Sequence, residues 1–248
     1  MRAVLLAAGR GRRLAPYTDR IPKPMLRLAG RPLLHYILHR LKACGCRRIL
    51  LVVGYRGDEI RSFFGDGRRE GLELSYIAQP EAPKGNAAAA ALAEGFAGQE
   101  PLFVGWGDVL AAASDYARLF EAAAAEPLAA RLALEAVDDP HQGAAVYLDG
   151  DRIASLEEKP PRGTARTGWN QAGLGIFSPA LFDAIRDLPL SPRGELEFPS
   201  AIQRLIDRGF EVGHTSLKKK RLHLTRPADI PVVEKSLYRD PEYALDLA

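Results

Sequence analysis

Short, wholly apolar runs alternate with segments whose apolar positions recur every three or four residues, and this alternation dominates the first half of the chain. Residues 3–7, 49–53, 72–77 and 102–105 read as strands. The first two carry no polar position, as expected where a parallel sheet is covered on both faces. Between them, Leu34, Ile37, Leu38 and Leu41 share one helical face behind Pro32, which takes the first helical position. Residues 85–94 predict an alanine-rich helix stopped by Gly95. Ser114 predicts a helix cap, with Tyr116, Leu119 and Phe120 on the buried side of the helix that follows.

The second half is less regular. Residues 147–153 hold an Asp-Gly turn between apolar segments and predict a β-hairpin. Ser178-Pro179 and Phe198-Pro199 start helices, and Gly209 stops one. Strands and helices alternating at this spacing argue for a parallel α/β sheet. With no linker, repeat or low-complexity tract, the expectation is one domain of two lobes, about residues 1–125 and 126–248.

Composition adds mainly exclusions. The chain has 248 residues, 47% hydrophobic and 26% charged, enough to bury a core without staples. A net charge of +3 gives no concentrated basic face, so nucleic acid is not an expected partner. The basic run Lys218-Lys219-Lys220-Arg221 reads as a solvated strand edge or loop. Cys44 and Cys46 are too few for a zinc or disulfide framework and read as thiols of a reducing compartment. His35 and His39 have metal-ligand spacing but share a polar helix face with Lys42, where solvated histidines are expected. The apolar start is too short for a signal peptide and runs into Gly9-Arg10-Gly11-Arg12-Arg13, and no apolar run approaches a membrane span. A cytoplasmic protein without a membrane partner is the expectation.

The chemistry concentrates after the first strand, in Leu6-Ala7-Ala8-Gly9-Arg10-Gly11-Arg12-Arg13-Leu14-Ala15-Pro16-Tyr17-Thr18, followed by Pro22-Lys23-Pro24-Met25. Open α/β sheets bind ligands at this carboxyl edge. Two glycines let backbone N–H groups approach a phosphate, with Arg13 and Lys23 adding fixed positive charge. The dinucleotide fingerprint would need a third glycine and an immediate helix, and the P-loop a Gly-Lys-Ser/Thr; neither is present.

On Gly-x-Gly-x-Arg-Leu-x-Pro-x-Thr and Pro-Lys-Pro, the chain resembles the sugar-1-phosphate nucleotidylyltransferases, and the resemblance runs from residue 1 to about residue 235. It implies a Rossmann-like mixed, mostly parallel sheet flanked by helices, and transfer of a nucleotidyl group from an NTP to a sugar 1-phosphate with release of pyrophosphate. Arg13, Lys23 and Asp108 would be catalytic; Leu6, Ala8, Gly9, Gly11, Gln79 and Gly85 would bind the nucleotide. Gln79 resembles the residue that reads the base edge, and Gly85 the glycine packed against the base. Gly143, Glu158 and Lys159 of Glu-Lys-Pro, and Asn170 with Gln171 of the Asn-Ala-Gly-like segment would bind the sugar phosphate, Asn170 being near enough to stand in for Gln171. Asp108 resembles a metal-binding aspartate, implying Mg²⁺, with Mn²⁺ or Co²⁺ as substitutes.

Three positions depart from the pattern. Arg12 stands where Thr or Ser is usual, Gln171 where Asn is, and His223 where a second metal-binding aspartate is, within a segment ending at Asp229. UTP or dTTP is the favoured donor. Two alternatives stay open: a CTP-dependent enzyme acting on a phospho-alcohol, and a regulatory subunit that binds nucleotide sugar without making it. A homo-oligomer is compatible with either. The length leaves no room for a fused acyltransferase or repeat module.

Overall fold

The computed structural model describes residues 1–82 and 84–245. Among the described residues nine strands form one sheet: β1 (Arg2–Ala7), β2 (Arg48–Val53), β3 (Glu73–Ala78), β4 (Leu102–Trp106), β5 (Ala130–Ala136), β6 (Ala144–Asp149), β7 (Arg152–Glu158), β8 (Trp169–Phe177) and β9 (Val212–Ser216). Their spatial order is β3-β2-β1-β4-β8-β5-β9-β7-β6. The first four strands are mutually parallel. From β8 onward the pairing is antiparallel apart from β9 on β5. The sheet is therefore mixed, and the mostly parallel arrangement expected from the sequence holds only for its first half. The β6–β7 hairpin turns through Gly150-Asp151, with Gly150 at φ +55°.

Helices cover both faces: α1 (Leu33–Ala43), α2 (Gly57–Phe64), α3 (Asn86–Ala91), α4 (Glu94–Ala97), α5 (Ala113–Ala125), α6 (Ala180–Arg186), α7 (Phe198–Asp207) and α8 (Asp229–Arg239). Strand periodicity sorts the core. Ala3, Leu5 and Ala7 pack with Leu34, Ile37, Tyr116, Leu119 and Leu237 on one face. Val4 and Leu6 pack with Ala87, Ala90, Ile185, Ile202 and Leu205 on the other. Two covered faces are why β1 and β2 read as unbroken apolar runs. Among the described residues no helix is long and apolar enough to cross a membrane.

Several local expectations are corrected. Pro32 precedes α1 as its N-cap rather than entering it. The alanine-rich helix ends at Leu92, and Gly95 lies inside α4, which Gly98 terminates at φ +65°. Ser114 is not the cap of α5: Ala112 is, and the Ser114 N–H donates to Glu242 Oε2 at 2.8 Å. The basic run is only partly solvated, because Arg221 turns inward. His35 is buried rather than solvated, although Leu34, Ile37, Leu38 and Leu41 are buried as expected. Cys44 and Cys46 are free, and burial pushes their thiols up to about 11 and about 12, leaving them unreactive.

The two halves of the chain are joined by a backbone zip rather than by a linker. Leu196 donates its N–H to the Lys84 carbonyl (2.8 Å), and its own carbonyl accepts from the Ala87 N–H (3.0 Å). Gly85 sits between at φ +111°, and a Cβ there would lie 2.2 Å from the Leu196 carbonyl oxygen. Gly85→Ala should therefore combine backbone strain with a clash against main chain, costing about 3 kcal/mol. Chemical denaturation checks this; an unchanged midpoint would mean that the zip opens freely.

Candidate active site

Because β3, β2, β1 and β4 are parallel, their carboxyl ends emerge along one edge, and the order in which the chain visits them reverses at β1. Crevices of this kind are where open α/β sheets bind ligands. The backbones crowd there. The Leu6 carbonyl accepts from the Gly107 N–H at 2.9 Å, and the Ala8 carbonyl from the Tyr55 N–H at 3.1 Å. A Cβ on Gly54 would stand 2.7 Å from that Ala8 oxygen. Gly9 has open space beside it and is exposed.

The loop after β1 is held by two short turns, Arg12–Leu14 and Lys23–Met25, with Leu14, Pro24 and Met25 buried beneath them. The buried Thr18 hydroxyl donates to the Gly11 carbonyl at 2.9 Å. Gly11, at φ +69°, leaves room for Lys23, whose Cβ is 3.1 Å from where a Gly11 Cβ would be. Lys23 Nζ thereby reaches Asp108 Oδ2 at the end of β4 in a short ion pair. Arg13 is exposed on the same loop.

His223 reaches this place through a two-residue ladder. Leu222 pairs with Leu110 and His223 with Val109, the residue after Asp108. His223 keeps solvent on one side, but protein crowds it on the others. That crowding lowers its pKa below the ordinary imidazole value, as do the charges of Arg221 and Lys23, against the pull of Glu135 and Asp108. Asp229 Oδ2 accepts the Thr225 and Arg226 N–H groups at 2.6 and 2.8 Å, and the residue starts α8.

Two charged residues near Asp108, Arg221 and Glu135, escaped the reading of the sequence. Arg221, the end of the basic run, places Nε 3.0 Å from Glu135 Oε2, with side-chain exposures of only 14% and 9%. The Arg221 backbone N–H also donates to Glu135 Oε1, and its Nη1 to the Gln171 carbonyl, both at 3.0 Å. Burial draws the Arg221 pKa down, while Glu135 and Asp108 hold it up. Inside a run of three lysines no local signal separated this arginine from its neighbours.

On the nucleotide side, Gln79 follows β3 and its Nε2 donates to the Gly85 carbonyl at 3.2 Å, so these two predicted residues are adjacent. The space above Gly85 is filled by Leu196, which gives this glycine a structural reason of its own. On the other side, Gly143 meets both Lys159 and Asn170. The Lys159 N–H donates to the Gly143 carbonyl at 2.8 Å, and a Gly143 Cβ would lie 2.5 Å from Asn170 Oδ1. Lys159, at φ +48°, has its ammonium 3.2 Å from Glu158 Oε1. Arg193, also unforeseen, approaches the same oxygen at 3.3 Å.

Asn170 pairs with Glu135 and Gln171 with Leu134 in a regular stretch of β8 and β5, so their side chains leave the sheet on opposite faces. One cannot stand in for the other. Asn170 Oδ1 and Gln171 Nε2 are both buried without a hydrogen-bond partner. Bare buried polar atoms are costly and mark places where a polar ligand or water belongs.

Lys23 engages only Oδ2 of Asp108. One carboxylate with a free oxygen fits Mg²⁺, which takes one or two carboxylates and fills its sphere with water and substrate phosphates. The neighbouring imidazole adds affinity for softer ions.

The chain is similar to known proteins over most of its length. The family model for nucleotidyl transferases matches residues 2–220. The chain is 37% identical over 214 residues to the low-salt glycan biosynthesis nucleotidyltransferase Agl11 of Haloferax volcanii, covering 86% of this chain and 59% of that one. It is 37% identical over 218 residues to a glucose-1-phosphate thymidylyltransferase of Streptomyces griseus, covering 87% and 60%. The chain thus spans about three fifths of these two curated relatives. A solved structure from Bacillus anthracis, provisionally named a glucose-1-phosphate thymidylyltransferase and holding a sucrose, superposes with a TM-score of 0.86 at 26% identity. The superposition covers 99% of this chain and 98% of that one.

The buried Arg221–Glu135 pair yields a stability prediction. Glu135→Leu strands the Arg221 charge and should cost about 3–5 kcal/mol, most of it recovered when Arg221→Met is added. Thermal unfolding of the three proteins checks it; equal losses in the single and double variants would show that the pair is not the cause.

Proposed function

This chain belongs to the nucleotidyl transferase family, and from that premise we propose that it joins an NTP to a sugar 1-phosphate, giving an NDP-sugar and pyrophosphate. The observation that carries the reading is the Lys23–Asp108 pair at the carboxyl edge of the parallel strands. Gln79 and Gly85 lie together on one side of the fold, and Gly143, Glu158 and Lys159 together on the other. The named activities of the relatives, thymidylyl transfer to glucose 1-phosphate among them, support a pyrimidine NTP as donor.

In the proposed reaction a phosphate oxygen of the sugar phosphate bonds to the α-phosphorus of the NTP. The bond from that phosphorus to the bridging oxygen breaks in line, and the electron pair leaves with pyrophosphate. No enzymic nucleophile is needed, so the protein's work is positioning and charge neutralisation. The backbone of exposed Gly9 and half-buried Gly11 lies beside the triphosphate, with Arg13 and Lys23 over the departing charge. Gln79 reads the base edge. Lys159 turns from Glu158 to the sugar phosphate, while Glu158 accepts from sugar hydroxyls. Asp108, with His223 beside it, would hold Mg²⁺, which would supply further neutralisation of phosphate charge.

A matrix of NTPs against phosphorylated sugars, read by pyrophosphate release, tests the activity and names the substrates. Release with no pair, together with tight binding of a nucleotide sugar, would overturn it in favour of a regulatory binder. Within an active enzyme, Arg13→Ala should lower kcat about a hundredfold, the usual cost of removing one charge-stabilising donor. Lys159→Ala should raise KM for the sugar phosphate and leave NTP binding by calorimetry intact; lost NTP affinity would move Lys159 to the other half of the site. Asp108→Asn should abolish turnover with Mg²⁺ and Mn²⁺ alike, and a metal titration of that variant decides it.

A further inference from the structure

His35 and His39 stand one turn apart on α1 and face the short helical turn Arg68–Glu70 that follows α2. His39 Nε2 is 3.1 Å from Glu70 Oε2, and His35 Nδ1 is 3.9 Å from Glu70 Oε1. The imidazole centroids are 4.5 Å apart, and one ligand-capable atom from each of the three residues lies within 4.8 Å of the others. His35 is 4% exposed, yet its Nδ1 has no hydrogen-bond partner. A buried ring nitrogen aimed at a carboxylate beyond hydrogen-bond reach is an unmet polar demand.

Two imidazoles at i and i+4 with one carboxylate are a zinc donor set. In a tetrahedral site with bonds near 2.0–2.2 Å the ligand atoms stand ~3.3–3.5 Å apart, tighter than the 4.8 Å that encloses one ligand atom from each residue here, so the three side chains would close onto the ion. Glu70 is already held, since its carbonyl accepts from Lys42 Nζ at 2.6 Å. Phe64 stacks beside His35 at 6.4 Å and gives the site an apolar wall. We propose that His35, His39 and Glu70 form a second metal site, for Zn²⁺ or Co²⁺, with a solvent molecule completing the tetrahedron. The ion would tie α1 to the turn between α2 and β3. Its two imidazoles select against Mg²⁺, the ion proposed for the Asp108 site, where substrate phosphates and water supply most of the ligands.

The test uses the full chain without a histidine tag, stripped with a chelator and titrated with Co²⁺ in excess Mg²⁺. The expected result is one Co²⁺ per chain with the visible absorption of a tetrahedral site, unchanged in Asp108→Asn. His39→Ala and Glu70→Gln, checked for folding by circular dichroism, should weaken binding by more than about tenfold, since loss of even an outer partner of a ligand does as much. Zn²⁺ should raise the Tm of the wild type and not of these variants. The proposal is overturned if the wild type shows no stoichiometric tetrahedral Co²⁺. It is equally overturned if binding survives both substitutions or disappears in Asp108→Asn.

Discussion

Parallel pairing of β3, β2, β1 and β4 is the constraint from which the rest of the candidate site follows. Each strand must return over the sheet before the next begins, so every strand ends on the same edge. Four chain segments then leave that edge within van der Waals contact of one another. Gly54 and Gly107 are glycines because a Cβ on either would strike Ala8 or Ala7. The same crowding aims the Gly9–Gly11 loop and Asp108 at a common space.

Charge in that space is organised before any ligand arrives. Lys23 pairs with Asp108, and Arg221 with Glu135, and the second pair is nearly closed to solvent. A buried ion pair is weak evidence for stability, because desolvation offsets most of the attraction. Its value here is geometric. The fixed Arg221 backbone holds the turn into Leu222-His223, whose ladder with Val109-Leu110 brings His223 beside Asp108. Polyanion chemistry gains from such preset charge because little reorganisation is left for the moment of reaction.

The antiparallel half supplies a different environment. Glu158 ends β7, Asn170 lies in β8, and Gly143 precedes β6, so three predicted residues converge where these strands meet. The zip between Lys84–Ala87 and Leu196, the β4–β8 pairing and the core shared by Ala87, Ala90, Ile202 and Leu205 tie this half to the parallel one.

Much of this was legible in the residues themselves. Unbroken apolar runs announced β1 and β2, the 3.6-residue period announced α1, and Asp149-Gly150 announced the β6–β7 hairpin, because burial on two faces, on one face and at a positive φ each leave a local mark. The glycine loop and Lys23 stood out as Gly-x-Gly and Pro-Lys-Pro, and the resemblance they carry added Asp108, which the fold brings against Lys23. What the sequence could not carry was anything set by partners distant along the chain. Arg221 looked like one more surface cation until Glu135, 86 residues away, was brought against it. His35 looked solvated until Glu70 and Phe64 closed over α1. Asn170 and Gln171 looked interchangeable until pairing with β5 sent them to opposite faces. Local pattern determines which element a residue joins; only packing decides what that residue faces, because the facing atoms come from elsewhere in the chain.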